Sequence, residues 1–101
     1  MALYLVELLI MIEYKFTNHL IKELKVWKKK DKAMFDAVTK KINQIIENTE
    51  IGKPLSYSFK LTRRVHVGSY VLVYQYKENK IVFIDFDNHD NIYKKTFNLE
   101  E

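Results

Sequence analysis

Apolar and polar positions change period twice along the chain, dividing it into a strand, a helical pair and a cluster of strands. Ile12-Glu13-Tyr14-Lys15-Phe16 alternates, which suits a half-buried strand. Thr17 or Asn18 can then cap a helix by offering a side-chain oxygen to its free N–H groups. In that helix Leu20, Leu24 and Trp27 recur at spacings of four and three and share one face, which Ile21 widens. Lys22, Lys25, Lys28, Lys29 and Lys30 fall mostly off this stripe and gather toward the C-terminal end, where cations complement the helix dipole. Asp31 reads as a new N-cap. Phe35, Val38, Ile42, Ile45 and Ile46 give a second stripe, predicting a helix from about Lys32 to Asn48. So tight a link makes the two helices an antiparallel hairpin that needs an apolar surface to cover.

Gly52-Lys53-Pro54 ends the helical region: Gly52 is expected to take a left-handed backbone, and Pro54 blocks continuation. Leu55 to Thr62 is a connector whose Tyr57 and Phe59 can lie under the helices. Period-two alternation then predicts strands over Arg63–Val67, Tyr70–Tyr76 and Lys80–Asp87, with links short enough for an antiparallel meander. The expected fold is α+β, in the order β-α-α-β-β-β, with a helical hairpin packed on one face of a small, mainly antiparallel sheet. No repeat, low-complexity tract or linker interrupts it.

A length of 101 residues leaves room for one domain, and 48% hydrophobic residues argue for a packed core rather than disorder. The absence of cysteine excludes disulfides and thiolate chemistry and agrees with a cytoplasmic location. A net charge of +4, supplied mostly by lysine, suits an anionic partner such as RNA, DNA or an acidic protein, but equally a solvated lysine coat. Met1–Ile10 is apolar but broken by Glu7; it is too short to span a membrane and lacks the basic start and cleavage site of a signal peptide. Met11 can serve as a second start, which would leave residues 1–10 as an extension ahead of a domain over 11–101. The rival reading is a longer first strand or a packed apolar arm.

Several local words, in order, resemble the RelE/ParE toxin superfamily of type II toxin–antitoxin systems, from about Met11 to Lys95. They are Phe16-x-x-x-Leu20-x-x-x-Leu24, Ile51-Gly52-Lys53-Pro54-Leu55, Arg63-Arg64-Val65-His66-Val67-Gly68-Ser69-Tyr70 with Val73-Tyr74, and His89-Asp90-Asn91-Ile92-Tyr93-Lys94. The resemblance implies the same fold, a cognate antitoxin as partner, and one of two activities. RelE-like members cut messenger RNA on the ribosome; ParE-like members share the fold but act on DNA gyrase. It implies no cofactor. By position it marks Arg64 and His66 as the basic residues of one strand, His89 as the residue often arginine in relatives, and Tyr93 as the tyrosine of the closing motif. Val71 departs from the pattern, since RelE-like toxins commonly carry arginine there.

RNA can be cleaved without metal by turning the 2′-hydroxyl onto the adjacent phosphate. This requires a base, an acid and cations for the growing phosphorane charge. Imidazole is the side chain whose ordinary pKa lies nearest neutrality, so His66 and His89 are the candidate proton carriers. Arg64, assisted by Lys94, can hold the phosphate, and Tyr93 can stack on a base or donate a proton. Alternation places Arg64 and His66 on one strand face and Val65 and Val67 on the other. The valines should meet the helices, leaving the basic pair on the open side. Tyr70, Tyr74 and Tyr76 share a parity and form either an exposed aromatic strip, with Tyr70 a candidate for base contact, or ordinary packing.

Lys28 and Lys29 either meet ribosomal RNA or are a solvated helix end. His89 is either part of the site or a loop histidine bonded to a neighbouring carboxylate, and His19 reads as a surface residue near a helix cap. Asp87, His89 and Asp90 lie too close in one loop to argue for a metal site, and none is assigned. The expected activity is ribosome-dependent mRNA cleavage by a toxin. The alternatives are a ParE-like or catalytically degenerate toxin that binds a protein target, and a plain RNA- or protein-binding module.

Overall fold

The computed structural model describes residues 12–55 and 61–95. Met1–Ile10, the second start at Met11, and Tyr57 and Phe59 of the connector lie outside the described residues. Strand β1 (Glu13–Phe16) leads into α1 (Asn18–Lys30), and α2 (Lys32–Glu47) follows after one residue. A two-residue strand β2 (Lys53–Pro54) precedes β3 (Thr62–Val67), β4 (Tyr70–Lys77), β5 (Lys80–Asn88) and a short helix α3 (His89–Lys94). The sheet order is β1-β5-β4-β3-β2, with β1 parallel to β5 and every other pair antiparallel. The expected α+β architecture is therefore observed, with β2 and α3 added to it.

Local chemistry explains most boundaries. Thr17, rather than Asn18, caps α1: its Oγ1 accepts from the Leu20 N–H at 3.1 Å and its hydroxyl donates to the Ile84 carbonyl at 2.8 Å. That second bond ties the start of α1 to β5. Asp31 closes one helix and opens the next, its N–H reaching the Trp27 carbonyl and its carboxylate accepting from the Met34 N–H. At the two hairpins, Gly68 has φ +63°, and Glu78 and Asn79 have φ +53° and +64°. The latter pair are the signs a type I′ turn needs to follow the strand twist.

Leu20 and Trp27 of α1 and Val38, Ile42 and Ile45 of α2 bury one face of the sheet, meeting Val67, Leu72, Tyr74, Ile81, Phe83 and Phe86. The other face carries a smaller cluster of Leu55, Val71, Val73 and Ile92, with Ile84 packed against it. The register of β4 against β5 shifts between Val73 and Tyr74: Tyr74 pairs with Phe83 but Val73 with Asp85, leaving Ile84 as an extra residue. This bulge keeps Phe83 and Phe86 both on the helix side although they are three apart, and places Ile84 and Asp85 together on the other.

Tyr74 is fully buried on the helix side, which removes it from the possible exposed aromatic strip. Its hydroxyl donates to the Thr49 carbonyl at 2.8 Å and accepts from the Gly52 N–H at 2.9 Å, tying the exit of α2 to the sheet. Burial, partly offset by the Gly52 N–H and the Arg63 guanidinium, raises the phenol above its usual pKa. Gly52 differs from expectation, because its φ is not positive. It is required by close approach: a Cβ there would lie 2.8 Å from Tyr74 Oη and 2.9 Å from the Arg64 carbonyl oxygen.

The two glycines are thus required for different reasons, and substitution separates them. Gly52→Ala forces a methyl into a buried ring and a strand carbonyl and is expected to cost about 1–3 kcal/mol. Gly68→Ala has room, its nearest contact being Met34 Cε at 3.9 Å. It places a side chain at positive φ, for about 1–2 kcal/mol. Urea unfolding of each variant checks both values.

Candidate functional site

Arg64 and His66 are two residues apart on β3, and across the ladder they face Val73 and Val71. Their neighbours Val65 and Val67 pack against the helices. The basic pair therefore lies on the side of the sheet away from the helical hairpin, as alternation requires. Val71 is completely buried beside His66, so the floor of the site is apolar.

His89 and Tyr93 approach from above. His89 is expected in a loop but opens α3, because Asn88 caps that helix by accepting from the Asn91 N–H at 2.8 Å. Tyr93 lies one turn later and on the same side; the two rings are 4.6 Å apart between centroids. Two residues of strand advance about 6.8 Å and one turn of helix about 5.4 Å, so the two pairs can align rung against rung. They do. The His66 and His89 rings lie 6.1 Å apart and nearly parallel, at 12°. The Arg64 guanidinium carbon lies 6.0 Å from the Tyr93 ring centroid.

All four residues singled out for catalysis thus form one contiguous group. Tyr93 is 41% exposed and contributes no core packing. His89 Nδ1 stands 3.7 Å from Asp90 Oδ1, too far for a hydrogen bond, so this carboxylate does not hold the ring. Arg64 Nε is buried and finds no hydrogen-bond partner among the described residues. Arg63, by contrast, points to the helix side and donates to the Gly52 carbonyl at 2.6 Å. Of the two adjacent arginines only Arg64 belongs to the site.

Of the residues proposed for nucleic-acid contact, Lys28 and Lys29 lie apart from Lys94 and Tyr70. Lys94 is exposed and lines a shallow depression with Ser69, Tyr70, Asn88, His89, Asp90 and Asn91. The Tyr70 ring, however, stands edge-on to Trp27 at 5.0 Å and stacks on Phe86 at 5.4 Å. Its parity places it in the helix-side core, so it is not a free stacking surface beside Arg64. Lys28 and Lys29 end α1, on the opposite side of the sheet from the four-residue group, with Lys28 Nζ 5.9 Å from the Phe35 ring. Among the described residues no group of three or more His, Cys, Asp or Glu side chains could hold a metal ion.

The sequence reading missed a second polar group beneath α3. The Asp85 carboxylate is almost fully buried and accepts from Lys95 Nζ at 2.6 Å and from the Phe86 N–H at 2.8 Å. His19, on the surface near the cap of α1 as expected, has Nε2 3.0 Å from Asp85 Oδ1 and is anchored by it. Lys95 also reaches Asp87 at 3.1 Å. The available signal was an aspartate inside an apolar strand run, Ile84-Asp85-Phe86.

Comparison with known proteins gives the family and the fold. Residues 14–93 match the family described as the ParE toxin of the type II toxin–antitoxin system, parDE. The chain is 40% identical over 88 residues to a candidate toxin, RelE4, of Methanocaldococcus jannaschii, covering 84% of this chain and 94% of the relative. Among solved structures it is similar to the YoeB/ParE toxin from Agrobacterium tumefaciens, with TM-score 0.69, 14% identity, and 77% and 99% of the two chains covered. It is equally similar to a chain of the E. coli DinJ–YafQ complex, with TM-score 0.69, 21% identity, and 81% and 98% covered. At these identities the structures show the shared fold. No helix among the described residues is long and apolar enough to cross a membrane.

The Asp87–Lys95 contact makes stability depend on pH at both extremes. Burial opposes ionisation of Asp87, but hydrogen bonds from the Asn88 N–H, Lys95 and Asn91 outweigh it and lower the pKa. Burial likewise opposes the charge on Lys95, and the bonds to Asp85 and Asp87 outweigh it and raise the pKa. The contribution of Asp87 is complete above its unfolded pKa and is lost as pH falls through the lower folded value. That of Lys95 is complete below its unfolded pKa and is lost as pH rises through the higher folded value. Urea unfolding is expected to show falling stability below the ordinary aspartate range and again above the ordinary lysine range, with Asp87→Asn flattening the acid limb.

Proposed function

The chain belongs to the ParE toxin family of type II toxin–antitoxin systems, and we propose that this toxin cleaves messenger RNA on the ribosome. The supporting observation is the alignment of Arg64 and His66 on a strand with Tyr93 and His89 on a helix. Two imidazoles about 6 Å apart can bracket one phosphodiester. One takes the proton from the 2′-hydroxyl as the 2′-oxygen bonds to phosphorus. The other gives a proton to the 5′-oxygen as the P–O5′ bond breaks, leaving a 2′,3′-cyclic phosphate and a 5′-hydroxyl. Arg64, with a buried donor to spare, meets the charge that builds on the non-bridging oxygens, and Lys94 adds to the field. Tyr93 offers an exposed ring on which an unstacked base can rest. No step in this scheme calls for a metal or cofactor.

The same reading gives the toxin a cognate antitoxin, as in the DinJ–YafQ assembly, and places its work in the cytoplasm with ribosome and mRNA. A second reading is favoured by the family match and by Val71: with valine at the floor of the site, the toxin acts by binding a protein target such as DNA gyrase.

Purified protein added to a translating extract is expected to leave ribosome-bound message with new internal ends. His66→Ala or Tyr93→Ala is expected to slow cutting more than tenfold with unchanged circular dichroism, both side chains being exposed. Intact message together with blocked gyrase supercoiling would replace the first reading by the second.

A further inference from the structure

Half of the proposed site rides on α3, which spans only six residues, His89–Lys94. A helix this short does not persist alone, because nucleation is unfavourable and few bonds repay it. One side chain, Ile92, is buried from it, contributing on the order of 2 kcal/mol. An apolar anchor of this kind resists lifting but constrains sliding and rotation poorly. Sliding is what the site cannot tolerate, since the two rungs connect α3 to β3 through ring contacts alone.

Directional contacts hold the helix at its ends. Near the start, Asn88 caps it and Asp87 accepts from Asn91 Nδ2 at 3.2 Å. At the end, Lys95 turns back to Asp85 and Asp87. Asp85 can receive it because the β5 bulge places the carboxylate on the α3 side of the sheet. Asp85 is only 3% exposed and has exchanged water for fixed partners: Lys95, the Phe86 N–H and His19. A surface ion pair would constrain little. A buried carboxylate that loses its lysine is costly, so the arrangement that delivers Lys95 is selected over its neighbours.

We propose that Asp85 and Lys95 are positioning residues of this toxin, an ion-paired tether that fixes α3 so that His89 and Tyr93 stand over His66 and Arg64. The role in catalysis rests on the mRNA-cleaving reading; the role in geometry does not. Lys95→Met is expected to lower kcat at least tenfold with KM within threefold, and to weaken the His66–His89 and Arg64–Tyr93 contacts seen as NMR cross-peaks and ring-current shifts. Lys95→Arg, which keeps the charge, is expected to restore kcat to within threefold. The double variant Asp85→Asn with Lys95→Met removes the stranded charge, and is expected to stay folded while still losing the ring contacts.

Wild-type ring contacts and kcat in Lys95→Met and in the double variant would overturn the proposal. So would global unfolding of both, which would make the pair a requirement of the fold rather than of the site. If the wild-type chain cuts no message, the cleavage reading fails while the ring contacts still decide the tether.

Discussion

Ile84 is one residue more than the ladder between β4 and β5 needs, and it resets the parity of everything that follows it on β5. Without it, strict alternation from Phe83 would turn Asp85 to the helix side and Phe86 away from it. With it, Phe86 joins Trp27 and Tyr70 in the core, while Asp85 and Asp87 come to lie under α3. The bulge therefore supplies both an aromatic contact for the core and the acidic seat for Lys95. Thr17 reads the same irregularity from the other side, its hydroxyl donating to the Ile84 carbonyl and its N–H to that of Phe83.

The basic residues divide by task. Arg63 fixes the backbone between α2 and β2, and Lys95 fixes α3; both are spent on the protein itself. Arg64 differs from its neighbour only in parity, and that alone leaves it available. The net positive charge is a coarse guide to function for this reason: it counts structural and available cations alike. The site depends on one guanidinium, two imidazoles and a phenol whose positions are set by a strand repeat and a helical turn of similar length.

The apolar floor under this group has a mechanical consequence. Val71, Val73, Leu55 and Ile92 pack as a second small core on the side of the sheet opposite the main one. This side of the sheet is therefore partly covered, with β3 and the exposed side of α3 left open beside the cluster. Val71 packs with Ile92 of α3, so an arginine in its place would introduce charge where the chain has packing.

Periodicity alone determined the helical hairpin, its cap at Asp31, the three-strand meander and the shared face of Arg64 and His66, because each follows from contacts only a few residues long. The family resemblance brought His89 and Tyr93 to the same place, which no spacing argument could do across more than twenty residues of chain. Only the tertiary structure decided the bulge, the burial of Tyr74 and the core packing of Tyr70, the steric reason for Gly52, and the pairing of Asp85 with Lys95 and His19. The physical reason is common to all four. Each depends on which atoms of a distant segment occupy the space beside a residue, and a linear pattern records the period of a chain but not what it is pressed against.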